Sequence, residues 1–351
     1  PSISMLRLLV DASGTTGTSC GSPKSLALRR TRHQMSDIFD RIRASCAAVS
    51  AQSTHVTIDE TQIAPFVARL DLELPPNDPG QRPLGGSEST AAFVMSLDAI
   101  NFGSGYFPHI QKRPGMSGYH TIAASLRDLV ADTGAITAAR LGDLTLGDVA
   151  AIFDQILDGG PAHELMDLFT KALHELAGFI ERTGDGTFLA VVEAANGSAA
   201  ALVEMLDEMP FYHDVHQHPA GEVLLYKRAQ ITVQDLAVAF KHKGPGQFDD
   251  LHRVTMFADN LVPHVLRVND VLQFSPALLS RIEAVEDIPI GSVEEVEIRA
   301  CGLHAVELLT TELRSRGERI TTAALDNILW NTGAQSVYKS IPRHRSRCVF
   351  Y

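Results

Sequence analysis

Two charged residues that stand among apolar neighbours are the first candidates for chemistry in this chain. Lys227 belongs to the stretch Tyr-Lys-Arg-Ala-Gln at 226–230, and Asp259 closes the stretch Thr-Met-Phe-Ala-Asp at 255–259. Between them, the stretch Lys-Gly-Pro-Gly-Gln-Phe at 243–248 predicts a tight turn. A buried lysine and aspartate cost stability, whereas enzymes use such pairs where positive charge develops during a reaction. We therefore predict an active site that contains Lys227 and Asp259.

Each of the two residues has a structural alternative. Pro263 is tolerated in the first turn of a helix, so Asp259 is expected at a helix N-terminus. There it is either an N-cap or an ionised carboxylate that stabilises an oxocarbenium-like sugar or activates a water. Lys227 is either solvated or a cation in a cleft. In a cleft it could hold a phosphate, orient the carboxylate or attack a sugar.

The stretch that surrounds Phe102 could bind a flat ring. Residues 101–108 read Asn-Phe-Gly-Ser-Gly-Tyr-Phe-Pro, and aromatic faces beside flexible backbone suit stacking on a base. Packing in the core is the alternative for Phe102. Asp98 precedes it by one helical turn and could accept hydrogen bonds from a base. Glu297 and Arg299 form either a structural ion-pair network or part of the cleft.

The segment at 341–351 combines alternating arginines with apolar residues. It reads Ile-Pro-Arg-His-Arg-Ser-Arg-Cys-Val-Phe-Tyr. Chain ends are usually polar and frayed, so the apolar Val-Phe-Tyr predicts that this segment is tucked into the body. Arg345 and Arg347 would then be fixed and could bind a small phosphate. The alternative is a basic tail that pairs with an acidic body.

Three histidines, His213, His216 and His218, stand close together but do not predict a metal site. The segment reads as a loop, and no second group of ligands with suitable spacing accompanies it. We expect no metal and no cofactor.

The charge balance argues against general binding of nucleic acid. The 351 residues include 42 acidic and 30 basic side chains, which gives a formal charge of -12. The first 34 residues hold five of the basic side chains and one acid, so the remainder is more acidic still. Because duplex binding requires a basic face, we expect no stable nucleic-acid complex.

Cysteine usage and hydropathy predict a cytoplasmic protein without a membrane span. No apolar run approaches the ~18 residues that a membrane helix needs. The sequence places no two cysteines at disulfide or metal spacing, so we expect reduced thiols at all four positions, Cys20, Cys46, Cys301 and Cys348. Residues 1–34 lack a convincing secretory signal, and we assign them to an N-terminal extension, with one domain at 35–351 that begins at Met35. The oligomeric state stays open.

Helical periodicity dominates the domain. The predicted helices lie at 36–50, from 87 onward, and at 146–158, 162–182, 187–208, 228–240, 260–268, 276–284, 292–316 and 322–332. Strand candidates are short and lie at 222–226, 105–111 and 119–122. With 45% apolar residues a sizeable core can form. The fold class is mainly α, a single compact helical domain with a few short strands.

Several of these stretches, in this order, resemble the queuosine salvage protein family, the queuosine 5'-phosphate N-glycosylase/hydrolases. The matching stretches are Asp-Ala-Ile-Asn-Phe at 98–102, Ser-Gly-Tyr at 117–119, the stretches at 226–230, 243–248 and 255–259, Pro263 with Val265-Leu266, Glu-Val-Glu-Ile-Arg at 295–299, and the segment from Ile341. Together they extend over roughly residues 36–351.

The resemblance implies a helical fold related to helix-hairpin-helix DNA glycosylases. It also implies hydrolysis of the N-glycosidic bond of queuosine 5'-monophosphate, which releases queuine and ribose 5-phosphate. On this basis Asp259 is the catalytic carboxylate and Lys227 the active-site lysine. We expect the base to stack near Phe102 and Tyr119 while Asp98 reads its donors. Lys227, Arg345 and Arg347 are expected to hold the phosphate, and we also place Asn101 and Glu297 among the substrate-binding residues.

Two alternatives remain at this point. A metal-dependent nucleotidase would use the histidine group, and its turnover would respond to a chelator. A binding module for modified nucleosides or tRNA would bind without releasing a base.

Overall fold

The chain is mainly helical, as its periodicity predicts. The computed structural model describes residues 37–74 and 85–351. The helices of these ranges are α1 (Ile38–Gln52), α2 (Ile63–Val67), α3 (Ser87–Ala99), α4 (Gly118–Thr133), α5 (Ala138–Gly142), α6 (Leu146–Ile152), α7 (Pro161–Gly184), α8 (Phe188–Ala194), α9 (Ala199–Leu206), α10 (Lys227–Ala239), α11 (Val262–Val268), α12 (Pro276–Glu283), α13 (Val293–Ser315), α14 (Thr322–Gly333) and α15 (Ser336–Lys339). The predicted extension at 1–34 and Met35 lie outside the described residues.

Local signals explain where many helices begin. The Ser292 hydroxyl accepts the Glu295 N–H at the start of α13, and Thr321 accepts the Ala324 N–H at the start of α14. Pro161 occupies the first turn of α7, where its missing N–H costs nothing. The predicted helix at 187–208 is interrupted around Gly197, whose φ is +71°, so that α8 and α9 are separate.

The strands are few and pair in two antiparallel sheets. β1 (Val56–Ile58) pairs with β4 (Leu272–Phe274), and β2 (Val215–His218) pairs with β3 (Gly221–Leu224). The prediction of a strand at 222–226 is confirmed by β3. The strand predictions at 105–111 and 119–122 are wrong, because the first stretch forms turns and the second lies inside α4. The Ser117 hydroxyl, which caps α4, outweighs the β-branched and aromatic residues that suggested a strand.

The Gly-Pro-Gly turn is a short 3-10 helix at Gly244–Gly246 that follows α10. A side chain at Gly246 would place its Cβ 2.5 Å from Phe240 Cβ and 2.8 Å from Leu236 O. Only glycine fits so close an approach to the end of α10. The chain then passes through 254–261 to α11, which packs against α13 and α14.

The segment at 341–351 is tucked into the body, as predicted. His344, Ser346 and Tyr351 are buried. A Cβ at Gly105 would stand 2.3 Å from Ser346 O, so the segment contacts the main chain after α3 directly. Cys46, Cys301 and Cys348 are free and buried, while Cys20 lies outside the described residues. Within 37–74 and 85–351, no helix combines the length and apolarity that crossing a membrane requires.

Candidate active site

Lys227 is the first residue of α10 and is buried. β3 leads directly to it, and its side chain is only 6% exposed. Its Nζ donates to Asn101 O at 3.2 Å, which connects α10 to the residues that follow α3. Burial lowers the pKa of Lys227, and the negative charge of Asp259 opposes that change. The structure therefore brings Lys227, Asn101 and Asp259 together, and Lys227 is not the solvated residue of the alternative.

Asp259 lies at the start of α11 and is also buried, with 8% of its surface exposed. Its Oδ1 accepts the N–H groups of Leu261 at 2.8 Å and Val262 at 3.0 Å. This is the capping geometry of the alternative, and the same geometry fixes the carboxylate beside Lys227. Capping and chemistry are thus compatible at this position.

Two charged residues that sequence reasoning did not select interact with Asp259. Asp326 of α14 is 3% exposed, and its Oδ1 accepts the Phe257 N–H at 3.1 Å. Burial, followed by the charge of Asp259, raises the pKa of Asp326 well above its usual range. Arg343 is half-buried. Burial lowers the pKa of Arg343, against the attraction of Asp259. The cluster therefore contains two carboxyl groups and two cations.

Asp98 has a buried carboxyl group with an incomplete set of partners. The residue is 0% exposed, and Asn101 Nδ2 lies 3.5 Å from its Oδ1. Its Oδ2 is buried and has no hydrogen-bond partner in the described part of the chain. Burial, then the charge of Asp235, raises the pKa of Asp98 well above its usual range. Because buried polar atoms are normally paired, this oxygen is a candidate for contact with a ligand.

The two aromatic residues predicted to stack on the base have different surroundings. Phe102 is 2% exposed, and its ring packs edge-on against Phe169 at 5.1 Å and Phe211 at 6.1 Å. The core-packing alternative describes this position. Tyr119 is half-buried and lies edge-on to Trp330 of α14 at 6.3 Å. Trp330, the only tryptophan of the chain, follows Asp326 by one helical turn.

The arginines of the segment at 341–351 have different surroundings. Arg347 is 37% exposed and lies 3.5 Å from Asp287 and 3.8 Å from Glu164. The alternative of a basic tail paired with the acidic body describes this residue. Arg345 is half-buried, and its charge acts on Arg343. Arg343, rather than Arg347, is the arginine whose charge interacts with Asp259.

Glu297 contacts the main chain before β1 and not Lys227 or Asp259. Its carboxylate accepts the N–H groups of His55 at 2.6 Å and Val56 at 3.0 Å. His218 Nε2 lies 3.4 Å away. The structural alternative describes this placement.

The three histidines at 213, 216 and 218 each pair with a different acidic residue. His213 pairs with Asp207, His216 with Asp214 and His218 with Glu297. In the two described ranges, no three His, Cys, Asp or Glu side chains stand together as a set of metal ligands.

Comparison with known proteins identifies relatives over most of the chain. The family model of the queuosine salvage protein matches residues 82–351. A queuosine 5'-phosphate N-glycosylase/hydrolase of Sphaerobacter thermophilus is 37% identical over 271 residues, which cover 76% of this chain and 83% of the relative.

Relatives from animals and amoebae bear the same name. The protein of Mus musculus is 30% identical over 286 residues, which cover 77% of this chain and 84% of the relative. That of Dictyostelium discoideum is 29% identical over 267 residues, or 76% and 79% of the two chains. The family model covers far more than half of the sequence, and the chain therefore belongs to the queuosine salvage protein family.

Proposed function

We propose that this protein is a hydrolase that cleaves the N-glycosidic bond of queuosine 5'-monophosphate. The products are queuine, the base salvaged for tRNA modification, and ribose 5-phosphate. The observation that carries the proposal is the buried cluster of Lys227, Asp259 and Asp326 in a chain whose relatives are named for this reaction. A buried lysine and two buried acids whose charges influence one another cost stability, which is typical of a site that handles charge.

Asp259 is assigned the central role in bond cleavage. As the bond to the base lengthens, positive charge develops on the sugar, and a carboxylate beside it lowers the energy of that state. The two backbone N–H groups on Oδ1 hold the side chain in one orientation. Asp259 also directs a water toward the anomeric carbon and accepts its proton. The electron pair of the broken bond remains with the base, which takes a proton from solvent. Asp259 later returns to solvent the proton that it accepted from the attacking water, so that the net reaction adds one water.

Asp98 and the neighbouring aromatic residues are assigned to the base. The buried Oδ2 of Asp98 would gain partners when a base brings its N–H donors. Asn101 lies between the two parts of the site, because its side chain approaches Asp98 and its carbonyl accepts from Lys227. Tyr119 stands beside Trp330, so these two rings are better placed than Phe102 to stack on the base.

The 5'-phosphate is assigned to Lys227 and to the arginines of the segment at 341–351. The charge of Arg343 reaches Asp259, and Arg345 lies close enough to act on Arg343. Two arginines and a lysine suit a small dianion. Arg347 and Glu297 are placed at the edge of the substrate site, because each already contacts groups of the protein.

The finer expectations about fold and setting belong to the same proposal. We place the catalytic domain at 35–351 and relate its fold to helix-hairpin-helix DNA glycosylases. The order α10, Gly-Pro-Gly turn and downstream Asp259 supports that relation. We also expect a cytoplasmic protein that takes a free nucleotide and forms no stable complex with nucleic acid, in keeping with its charge of -12.

An assay of base release tests the function. The purified protein is incubated with queuosine and with queuosine 5'-monophosphate, with and without a chelator, and free queuine is measured by chromatography. We expect release from the monophosphate that the chelator leaves unchanged. Binding without release would indicate a binding module, and loss of turnover with the chelator would indicate a metal-dependent enzyme.

A further inference from the structure

A buried ion pair outside the reacting groups connects the start of α10, which carries Lys227, with the segment at 254–261, which carries Asp259. Arg299 of α13 and Asp214, which precedes β2, are 0% and 2% exposed. The guanidinium is bidentate, with Nη1 2.9 Å from Asp214 Oδ1 and Nη2 2.6 Å from Asp214 Oδ2. Such pairs fix geometry as well as contributing energy.

The carboxylate of this pair holds the start of α10. Asp214 Oδ2 also accepts the main-chain N–H of Lys227 at 3.1 Å, and the Asp214 carbonyl accepts the Leu225 N–H at 3.0 Å. Burial would raise the pKa of Asp214, but Arg299 and His216 hold that pKa below its usual range. Asp214 therefore remains an acceptor for both Lys227 and Arg299.

The guanidinium of this pair holds the segment at 254–261, which carries Asp259. Arg299 Nε donates to Ala258 O at 2.8 Å, immediately before Asp259. One face of the guanidinium stacks on the ring of Tyr351, 4.7 Å from its centroid. Both hydrogen-bonding edges of Arg299 are thus used, one for Asp214 and one for Ala258.

The backbone before Lys227 shows that this placement has a cost. Tyr226 adopts φ +48° and ψ +40°. This is the left-handed region of the backbone, which residues other than glycine, Asn and Asp rarely occupy. Such conformations persist where the surroundings impose them, and they concentrate at functional sites. The hydrogen bonds from 225 and 227 to Asp214 supply that restraint.

We propose that Asp214 and Arg299 act as a positioning pair, which sets the spacing between the Lys227 side chain and the Asp259 carboxylate. The start of α10 and the segment at 254–261 come from separate parts of the sequence. Gln230 also joins them, since its amide oxygen accepts the Thr255 N–H at 2.9 Å, but the pair of Asp214 and Arg299 contacts the main chain directly at Lys227 and next to Asp259. It acts through the main chain of residues 227 and 258 and not on the substrate. This inference rests on the roles proposed for Lys227 and Asp259.

The variant R299K tests the proposal. Lysine preserves the positive charge, but a single ammonium group cannot bind both oxygens of Asp214 and also reach Ala258 O. A misplacement on the order of 1 Å in an active site reduces turnover about 100-fold. We expect this loss in kcat for queuosine 5'-monophosphate, with KM changed less than about threefold. D214N is the second variant and is expected to behave alike, because Glu295 still lies 3.5 Å from Arg299 and neutralises it.

E295Q is the matched control. Glu295 is as buried as Arg299 and pairs with it from the same helix. Its carboxylate also accepts the Gly291 N–H, and it has no hydrogen bond to the start of α10 or to the segment at 254–261 among the described residues. We expect E295Q to retain kcat within about threefold. Melting temperatures of all variants are measured alongside. If kcat followed melting temperature equally in R299K, D214N and E295Q, the network would be merely structural and the proposal would be overturned.

A second readout does not depend on turnover. The rate at which an amine-directed acylating reagent modifies Lys227 is followed by peptide mass spectrometry. We expect faster modification in R299K and D214N than in the wild type and E295Q, because the start of α10 is released. Equal rates in all four proteins would overturn the positioning role. If the wild-type protein released no base, the proposed function would fail while this comparison would still judge the pair.

Discussion

Asp259 and Asp98 are both buried carboxyl groups near Lys227, but their surroundings differ. Asp259 Oδ1 accepts two main-chain N–H groups at the start of α11 and has Lys227 and Arg343 nearby. Asp98 lies inside the end of α3, and its Oδ2 has no partner among the described residues. One carboxyl group is fixed by the protein itself, and the other is incomplete.

The difference separates catalysis from recognition. A group that stabilises a developing charge works best when it is oriented before the substrate arrives. A buried acceptor without a hydrogen-bond partner costs free energy, and only a ligand with matching N–H donors removes that cost. Such a group therefore selects one base against others. We therefore expect substitutions at the two positions to change different kinetic constants.

The largest effect is expected from D259N. Asparagine retains an oxygen for the N–H groups of Leu261 and Val262 but carries no charge and cannot accept the proton of a water. We expect kcat to fall about 10³- to 10⁴-fold, at the upper end for loss of such a group, while KM changes little. Steady-state kinetics with the monophosphate measures both constants. Normal turnover would reduce Asp259 to a helix cap.

D98N should act mainly on binding. The substitution preserves size but replaces one oxygen by an NH2 group. That group can only donate, whereas the carboxyl group can release its proton and accept from the donors of the base with both oxygens. A mismatch of a buried polar group costs about 1–3 kcal/mol, so we expect KM to rise about 10- to 100-fold with a smaller change in kcat. An equal loss in kcat, with KM unchanged, would contradict the division between the two carboxyl groups.

Substitution of Arg343 should have a smaller effect, on the preference for the phosphorylated substrate, and Arg347 of the same segment offers a control. R343Q should reduce the preference for queuosine 5'-monophosphate over queuosine about tenfold, since one charge-assisted hydrogen bond contributes about 1.5–3 kcal/mol at most. R347Q should change the preference less than about threefold, because Arg347 pairs with Asp287 and Glu164 at the surface. The ratio of kcat/KM for the two substrates is the measurement. If R347Q lost more of this preference than R343Q, Arg347 and not Arg343 would be the residue that binds the phosphate.

The smallest effect concerns stability and involves Asp326. In the folded protein, burial and then the charge of Asp259 raise the pKa of Asp326 well above its usual range. In the unfolded chain the same carboxyl group ionises at about pH 4. Between these two pKa values the folded protein holds a proton that the unfolded chain has released, so the free energy of unfolding falls as pH rises.

D326N removes this loss because asparagine does not ionise and can still accept the Phe257 N–H. Its melting temperature relative to the wild type should therefore increase with pH, by about 1–2 °C for each kcal/mol in a chain of 351 residues. A difference that is the same at about pH 5 and about pH 8 would show that Asp326 has an ordinary pKa.

Sequence signals were sufficient for the residues that stand beside local landmarks. Lys227 follows a strand, and Asp259 precedes a helix that begins near Pro263, so both could be selected from neighbouring residues. Asp326 and Arg343 gave no such signal. Asp326 occupies an ordinary helical position in α14, and its approach to Asp259 depends on how α14 packs against α11. The importance of Trp330 could have been suspected, as it is the only tryptophan.

The fold shows the same division between local and distant determinants. The longer helices α7, α10, α13 and α14 were predicted because periodicity and caps are local. The pairing of β1 with β4 joins three-residue strands more than 200 positions apart, which no local pattern reports. The sequence leaves open whether Glu297 belongs to a structural network or to the cleft, and in the structure its carboxylate contacts the main chain before β1 and His218. Its direction from α13 is set by tertiary packing.

A crystal structure of the D259N protein with queuosine 5'-monophosphate tests the division most directly, because the substrate should bind without being cleaved. We expect an N–H donor of the base about 3 Å from Asp98 Oδ2, with the anomeric carbon beside the substituted side chain at 259 and the phosphate near Arg343. A base bound away from Asp98, or a sugar far from position 259, would contradict this division.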